Sequence, residues 1–299
     1  MNIFITGASG YIGGTLALRL EAAGHTVRGL CRNEAKAEQL RRLGIEPLMG
    51  ILDDGVLLAA AARAADAVIN AASSDHRPCV EALIAGLKGS RKTLIHTSGS
   101  SVIGDNAKGN TASDRIFSDY DELEVAPLKR ERRNIDLMVL QAHTYGLRPM
   151  VICPSLIYGR GSGLNPDSVQ IPTLARRAKK SGAVKVIGKG LNRWSNVHID
   201  DLADLYLLAL EQGSAGSFYF AENGENSFGE LGQAVADRLK LGAVQSLDAD
   251  LAAESWGPAR AYFTFGGNSR VCANRARAEL GWQPSRPSVL TWIETELAE

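Results

Sequence analysis

The clearest cluster of side chains that could take part in chemistry lies in residues 94–104, LIHTSGSSVIG, where four hydroxyls surround one glycine. Thr97, Ser98, Ser100 and Ser101 directly follow or end an apolar run that predicts a strand. A hydroxyl at a strand end can donate a hydrogen bond to a substrate carbonyl and orient it, and Ser98 and Ser100 are our candidates for that role. The alternative is that these hydroxyls only satisfy the backbone of a turn.

A second pattern, TGASGYIGG at residues 6–14, has three glycines in the spacing G-x-x-G-x-x-G. It follows a predicted strand and opens a predicted helix, the context in which such a turn binds a dinucleotide pyrophosphate. Gly7 permits the tight turn, Gly10 lets the backbone approach the phosphates, and Gly13 lets the helix pack on the strand. The predicted cofactor contacts from this turn are Gly7, Ser9, Gly10, Tyr11, Ile12 and Gly13.

The end of the second predicted strand, GLCRNE, bears on which dinucleotide binds. NAD-binding proteins usually place an acid there for the ribose 2′-hydroxyl, whereas an arginine accommodates the 2′-phosphate of NADP. This chain has Cys31 and Arg32, and a guanidinium pairs bidentately with phosphate. The sequence therefore predicts NADP rather than NAD, with Arg32 as the main contact and Asn33 and Lys36 beside it. The alternative is a solvated arginine at a helix start.

The elements that must position these residues alternate along the N-terminal half. Short β-branched runs and amphipathic stretches follow one another in the order βαβαβαβαβ, which predicts an α/β fold with a doubly wound parallel sheet. After Gly104 a long polar loop extends to residue 127, and we interpret it as a lid or a site loop. A helix from about Leu128 to His143 and a strand, MVICP, are predicted to follow.

Composition excludes several classes of partner. The 299 residues contain 33 Lys and Arg against 33 Asp and Glu, so no overall positive field attracts nucleic acid or an anionic membrane. Four cysteines without C-x-x-C spacing indicate reduced thiols. His198, Asp200 and Asp201 could ligate a metal, but their spacing is typical of a strand end and a helix cap, and we predict no metal. The opening MNIFITG has no signal-peptide pattern, so we expect a cytoplasmic monomer or homodimer acting on small molecules.

Six motifs, taken in order, resemble those of the extended short-chain dehydrogenase/reductase superfamily, close to its NAD(P)-dependent epimerase/dehydratase group. They are TGASGYIGG, GILDD at 50–54, NAAS at 70–73, CPSLIYG at 153–159, NVHIDDLADLYLLALE and ANRARAELGWQP. The resemblance implies a Rossmann domain from residues 1–154 plus 183–213 and a smaller C-terminal α+β substrate domain from 155–182 plus 214–299. The family often has an aspartate at the position of Ile51, and its adenine contact is expected to pass to Leu52 or Asp53. The remaining implied cofactor contacts are Asn70, Ala71, Ala72 and Pro154.

The family's catalytic set is a Ser or Thr at the end of the fifth strand and a Tyr-x-x-x-Lys on the following helix. In this chain the three positions fall on Gly99, Leu128 and Arg132, so the usual set is missing. A leucine can neither donate nor accept a proton. The two serines that flank the vacant serine position, together with Tyr120 on the preceding loop as a displaced acid or base, are the predicted replacements.

Three function classes follow from these observations. The first is an NADP(H)-dependent oxidoreductase or epimerase/dehydratase-like enzyme acting at a carbonyl or hydroxyl of a small molecule or nucleotide sugar. The second is a non-catalytic NADP-binding sensor, and the third is a lyase or isomerase that uses the fold without redox turnover. The substrate pocket is expected to be made by the loops around residues 105–124, 160–172 and 255–268.

Overall fold

The computed structural model describes residues 1–298, and its centre is a seven-stranded sheet in which every neighbouring pair is parallel. Smaller two- and three-stranded sheets complete the chain. The strands are β1 Asn2–Thr6, β2 Thr26–Cys31, β3 Glu46–Met49, β4 Ala67–Asn70, β5 Thr93–Thr97, β6 Phe117–Ser118, β7 Arg148–Pro154, β8 Leu156–Tyr158, β9 Lys185–Ile187, β10 Arg193–His198, β11 Ser217–Ala221, β12 Glu225–Ser227, β13 Gln245–Leu247 and β14 Val271–Cys272.

The helices alternate with the strands in the first half and become more irregular later. Short 3₁₀ turns cover Ser100–Ile103, Pro127–Lys129 and Ala142–Tyr145, and a π-helical turn covers Ala259–Phe265. The α-helices are α1 Tyr11–Ala22, α2 Glu34–Arg42, α3 Gly55–Ala64, α4 Arg77–Leu87, α5 Arg130–Gln141, α6 Gln170–Ser181, α7 Ile199–Gln212, α8 Phe228–Arg238, α9 Ala249–Trp256, α10 Asn274–Leu280 and α11 Val289–Glu296.

The order of strands in the large sheet is β11-β7-β5-β4-β1-β2-β3, which confirms the predicted doubly wound α/β class. Strands β4 and β5 are buried at every position, as expected for a parallel sheet covered on both faces. The order reverses between β1 and β4, and ligands of such sheets bind outside the carboxyl ends of the strands at this switch point. The phosphate-type turn after β1 therefore lies where a ligand is expected.

The residues of the two hydrophobic cores do not follow the domain boundaries that the sequence predicts. Strand β11, within the segment 214–299 assigned to the smaller domain, pairs in parallel with β7 at the edge of the large sheet. Conversely, Val184 and Val186, assigned to the Rossmann domain, belong to the smaller core that contains Trp194 and Phe228. The composition of the short strands β9 and β11 does not indicate whether they belong to the large sheet or to a smaller one. Pairing with distant strands decides this.

The His198, Asp200 and Asp201 cluster at the start of α7 is used for capping and loop attachment. His198 Nδ1 accepts the backbone N–H of Asp200 at 3.1 Å, while the Asp201 carboxylate accepts the N–H groups of Ser285 and Arg286 at 3.0 and 3.1 Å. Within residues 1–298, no group of three or more His, Cys, Asp or Glu side chains is arranged to hold a metal ion. No helix in the same range has the length and apolar character that crossing a bilayer requires.

Candidate functional site

The turn between β1 and α1 is built so that only glycine fits at two of its positions. Gly7 has φ +81°, and a Cβ placed on it would lie 2.7 Å from the carbonyl oxygen of Ala71 at the end of β4. A Cβ on Gly13 would lie 2.3 Å from the carbonyl oxygen of Gly7. Both distances are shorter than any Cβ contact tolerates, so the turn packs its backbone directly against β4 and helix α1. The roles predicted for these two glycines match this packing.

The N-terminus of α1 offers free backbone donors to an anion. Gly10 occupies the N-cap position without any side chain to cap the helix, and the first turn contains no acidic residue. The first N–H groups of α1 thus keep their donor capacity, and the helix dipole adds partial positive charge at the same place. A dinucleotide pyrophosphate fits this arrangement.

The turn opens onto a cleft of about 650 Å³ at the carboxyl ends of β1, β2 and β4. Its walls include many of the residues predicted to contact the cofactor, whereas Tyr11, Ile12, Gly13, Asn33, Asn70 and Pro154 lie outside its lining. The predicted residues on the walls are Gly7, Ser9, Gly10, Arg32, Leu52, Asp53, Ala71 and Ala72.

Two cations stand at the end of this cleft nearest β2. Arg32 and Lys36 line the cleft together with Gln39, and within residues 1–298 neither cation has a carboxylate within 4.0 Å. Cys31 is buried with its sulfur beside that of Met49, 3.6 Å away. The predicted helper Asn33 instead caps α2, because its Oδ1 accepts the N–H of Lys36 at 3.0 Å.

At the rim of the cleft next to β3, Asp53, a predicted adenine contact, is paired with a histidine side chain. Asp53 Oδ1 lies 3.1 Å from His76 Nε2, while His76 Nδ1 accepts the N–H of Cys79 and caps α4. Ile51 is exposed and lines the cleft beside Leu52. An apolar edge with one acid at its margin therefore replaces the aspartate that the family often has.

The side chain of Asn70 points into the protein, in contrast to its predicted role as a cofactor contact. Its Oδ1 accepts the hydroxyl of Thr6 at 2.5 Å, and its Nδ2 lies 3.0 Å from His96 Nδ1. All three side chains are buried between neighbouring strands. The backbone of the next residues, Ala71 and Ala72, supplies the wall of the cleft at this strand end instead.

A segment from the smaller half of the chain crosses the start of α1. We call residues 159–165 the covering segment, since its Leu164 and Asn165 form one wall of the cleft. Backbone meets backbone where it crosses, because a Cβ on Gly163 would lie 2.7 Å from Gly14. The Tyr11 hydroxyl lies 2.9 Å from the carbonyl oxygen of Gly159, and burial raises the pKa of this phenol above its usual range, so it stays a donor.

The two serines proposed from the sequence have partners inside the protein. Ser98 Oγ donates to Asp136 Oδ2 at 2.9 Å, and Ser100 Oγ accepts the hydroxyl of Ser269 at 2.7 Å. Both serines are buried. Their hydroxyls are thus engaged in holding β5 to α5 and to the segment before β14, and their predicted role toward a substrate remains a prediction.

Ser101, in the 3₁₀ turn after β5, meets two cationic side chains from the start of α5 and the turn before it. Arg132 Nη1 donates to Ser101 Oγ at 2.9 Å, and the same guanidinium forms two bonds of 2.7 and 2.5 Å to the carboxylate of Asp75. Lys129 Nζ lies 3.4 Å from Ser101 Oγ. The Arg132 pair holds the pKa of the Asp75 carboxyl below its ordinary value, chiefly through these hydrogen bonds.

This grouping of Asp75, Ser101, Lys129 and Arg132 was missed at the sequence level. Lys129 and Arg132 belong to the run LKRERR, which reads as a solvated charged face. The available signal was the overlap of that run with the vacant tyrosine and lysine positions of the family. Tyr120, by contrast, is 54% exposed, and its contacts are with Arg275, 4.7 Å over its ring, and with Ser118.

A second pocket of about 340 Å³ adjoins the segments that carry Ser101 and Lys129. Its apolar walls include Ile103 and Phe117, and its polar walls carry two arginines. Arg115 pairs with Glu124 at 3.1 Å, and Arg270 pairs with Glu225 and with the carbonyl oxygen of Ser113. The loop predicted at 105–124 does contribute to this pocket, whereas residues 164 and 165 line the dinucleotide cleft instead.

Profiles of two known families match the chain. The NAD dependent epimerase/dehydratase family matches residues 79–219, and an NAD(P)H-binding family matches residues 7–131. The second match contains the glycine turn, the end of β2 and the end of β4 that form the cleft described above.

Individual proteins resemble the chain over most of its length. It is 34% identical to "Oxidase ucsJ" of Acremonium sp over 98% of this chain and 95% of that protein. It is 28% identical to the 4-hydroxy-2-methyl-3-oxo-4-farnesyl-3,4-dihydroquinoline-1-oxide ketoreductase of Stigmatella aurantiaca over 75% of this chain and 69% of that protein. The structure of UDP-glucose 4-epimerase from Thermotoga maritima with UDP-glucose has a TM-score of 0.79 at 16% identity, covering 99% of this chain and 97% of that one.

These relatives are named as an oxidase, a reductase and an epimerase, which agrees with the predicted class of an NAD(P)-dependent enzyme. The fold, the glycine turn at the switch point and the two family profiles agree with one another. The chain belongs to the NAD dependent epimerase/dehydratase family.

Proposed function

We propose that this protein is an NADPH-dependent reductase of a ketone or aldehyde on a small organic molecule. The observation that carries the proposal is the pair Arg32 and Lys36, two cations that have no carboxylate partner among residues 1–298, at the β2 end of a cleft that begins with a phosphate-type turn. Such cations favour a 2′-phosphate over a ribose hydroxyl. The nicotinamide of a bound NADPH would supply a hydride, and the protein's own residues must bind the substrate and manage the proton.

The charges of the 340 Å³ pocket favour a substrate without a diphosphate. A nucleotide sugar needs unpaired cations for its two phosphates, but Arg115 and Arg270 are both paired with carboxylates. The apolar side chains Ile103, Phe117 and Val125 suit the hydrocarbon part of a keto compound. The Stigmatella relative is named a ketoreductase, which supports the same direction of reaction.

Cofactor choice is tested by calorimetric titration of the wild-type protein with NADPH and with NADH. Loss of a charged hydrogen-bonded pair costs about 1.5–3 kcal/mol, so Arg32→Ala should weaken NADPH binding by roughly tenfold to a hundredfold and leave NADH binding unchanged. Arg42→Ala is the matched control, because Arg42 is an exposed arginine at the far end of α2, paired with Glu38. Equal affinities of the wild type for both cofactors would refute the NADPH preference.

Turnover is tested by following NADPH absorbance with three probes: ethyl 3-oxohexanoate, acetophenone and UDP-glucose. We expect NADPH oxidation with a keto probe and none with UDP-glucose. Tight NADPH binding without oxidation by any carbonyl probe would instead favour the non-catalytic sensor, the alternative that the vacant family positions Gly99 and Leu128 support. Conversion of a probe with the nicotinamide unchanged would favour the lyase or isomerase class.

A further inference from the structure

The 3₁₀ turn before α5 determines which of its side chains is buried in the protein. Its residues Pro127–Lys129 follow Ala126, whose carbonyl oxygen accepts the Lys129 N–H at 2.8 Å. Leu128, at the family's tyrosine position, is 61% exposed, whereas Lys129 is only 7% exposed. The tight turn therefore directs the side chain one residue further along toward the interior.

The Lys129 ammonium ends among groups that leave its protons available. Nζ lies 3.4 Å from Ser101 Oγ and 5.0 Å from the centre of the Phe263 ring. Within residues 1–298 no carboxylate lies within 4.0 Å of it, so no ion pair holds it in place. The charged groups that face it are Arg132 from α5 and Asp75 from the loop after β4, and Arg132 takes both carboxylate oxygens of Asp75.

Burial and the neighbouring Arg132 lower the pKa of Lys129 to about 8, against a smaller opposing effect of Asp75. Near neutral pH this lysine is mostly protonated and can still lose its proton. A catalytic acid with a pKa close to the working pH transfers protons most effectively. Arginine at position 132 keeps its proton and cannot fill this role.

We propose that Lys129 is the proton donor of the carbonyl reduction, with Ser101 and Arg132 positioning it, in place of the tyrosine that this chain lacks. This role rests on the reductase function proposed above. Ser101 lies in the turn that follows the carboxyl end of β5, where the sheet meets its ligand. The 340 Å³ pocket is lined by Ile103, Val125 and Ala126, which are close to Ser101 and Lys129 along the chain.

The step balances with the groups named. The carbonyl carbon gains a hydride, for which reduced nicotinamide is the two-electron donor, and the carbonyl oxygen gains the proton that leaves Lys129 Nζ. The C=O double bond becomes a C–O single bond and the product is an alcohol. Lys129 is left neutral and regains a proton from solvent, so the enzyme returns to its starting state.

The titration of Lys129 can be measured without substrate or cofactor. In protein carrying [¹³Cε]lysine, the Lys129 signal is identified by its absence in Lys129→Met, and Lys180→Met identifies an exposed lysine of α6 as the reference. We expect the Lys129 signal to titrate near pH 8, below the ordinary lysine value. A Lys129 midpoint above pH 10 would overturn the proposal.

The catalytic test uses the single-turnover rate of NADPH oxidation with the keto probe that the wild type reduces. Lys129→Met and Lys129→Arg should each lower this rate by about 10²–10⁴-fold, since neither side chain releases a proton at neutral pH, while NADPH affinity stays unchanged. The wild-type rate should fall above about pH 8, and this fall should disappear in Lys129→Met.

The two proposals fail in distinguishable ways. A wild type that reduces a carbonyl probe, together with a Lys129→Met variant of equal rate and unchanged pH profile, would overturn the role of Lys129 and leave the reductase function standing. A wild type that binds NADPH but reduces no carbonyl probe would overturn the reductase function and this role with it. Lys180→Met should match the wild type in every assay.

Discussion

At the scale of single residues, a buried histidine of β5 lies close to a buried carboxyl of α5. His96 Nε2 and Asp136 Oδ1 are 3.8 Å apart, both side chains are fully buried, and neither atom has another partner within residues 1–298. Burial lowers the pKa of His96 to about 4 and raises that of Asp136 to about 7. Between about pH 4 and pH 7 the carboxyl therefore carries the proton, and the imidazole is uncharged.

This pair predicts opposite pH dependences for its two single variants. In Asp136→Asn the remaining His96 has a folded pKa below its unfolded value of 6.5, so stability present above pH 6.5 is lost as pH falls toward 4. In His96→Gln the remaining Asp136 has a folded pKa above its unfolded value of 3.8, so stability present at pH 4 is lost as pH rises through 7. Each slope reaches at most about 1.4 kcal/mol per pH unit.

Urea unfolding from pH 4.5 to 7.5 measures both slopes as differences from the wild type, in which the two trends oppose one another. Subtracting the wild-type curve cancels the groups that a variant shares with the wild type and leaves the reverse of the removed group's contribution. The Asp136→Asn difference should therefore rise with pH, and the His96→Gln difference should fall. Difference curves that run parallel for the two variants would contradict the assignment of the proton to this pair.

At this scale the sequence predicted residue types better than their partners. Gly7, Gly10 and Arg32 line the cleft, since their spacing is tied to a local turn and a strand end, and their contact with a cofactor stays a prediction. The partners of Ser98 and Asn70 were not predictable, since Asp136 and His96 come from distant parts of the chain. A histidine within the apolar strand LIHTS was the one local sign of a buried polar network.

At the scale of elements, two glycines of the same turn are expected to have different roles, Gly10 in binding and Gly13 in packing. A Cβ on Gly10 would lie 3.1 Å from the carbonyl oxygen of Gly7, a contact that a small shift relieves, whereas on Gly13 the distance is 2.3 Å. Gly10→Val should therefore leave the fold intact and abolish NADPH binding, because its side chain occupies the space that the phosphates need. Gly13→Val should lower stability itself by about 1–3 kcal/mol or more.

Thermal unfolding and NADPH titration of the two variants distinguish these roles. The positions are three residues apart in one turn, so each serves as the control for the other. A Gly10→Val protein that melts like the wild type and still binds NADPH normally would show that the cofactor binds elsewhere.

Element boundaries explain why counting along an ideal α-helix does not place the Lys129 side chain in the interior. The predicted helix from about Leu128 to His143 exists, but its first turn is 3₁₀ over Pro127–Lys129 and α-helical only from Arg130. A 3₁₀ turn has three residues per turn rather than 3.6, so it rotates the side chains at a helix start relative to an α-helical register. Counting along an ideal helix cannot detect that rotation.

At the scale of the whole molecule, the sequence predicted the large sheet and its switch point well, because strand and helix alternate with clear periodicity up to β5. The limits between the two cores were less predictable, since β8, β9 and β11 are short and largely apolar. Their sheet membership depends on pairing over long sequence distances, which neither period nor composition encodes.

The covering segment joins the two cores across the cofactor cleft, and Tyr11 is the side chain that holds it. Tyr11→Phe removes the hydrogen bonds to Tyr158 and Gly159 and leaves the ring in place. We expect NADPH to dissociate several-fold faster, as one buried hydrogen bond is worth about 1 kcal/mol, with little change in its association rate. Stopped-flow fluorescence measures both rates, and Tyr145→Phe, an exposed tyrosine after α5, is the control.

The contact between the covering segment and the start of α1 should limit the rate at which a nucleotide leaves the cleft. The reductase proposed above must exchange its spent nucleotide in every cycle, and we expect the nucleotide to leave when residues 159–165 lift from Gly14 and Tyr11. Exit then becomes the slow stage, and it is common to all substrates. Good and poor carbonyl substrates should therefore differ in kcat/KM but have the same kcat. This common kcat should be higher in Tyr11→Phe than in the wild type.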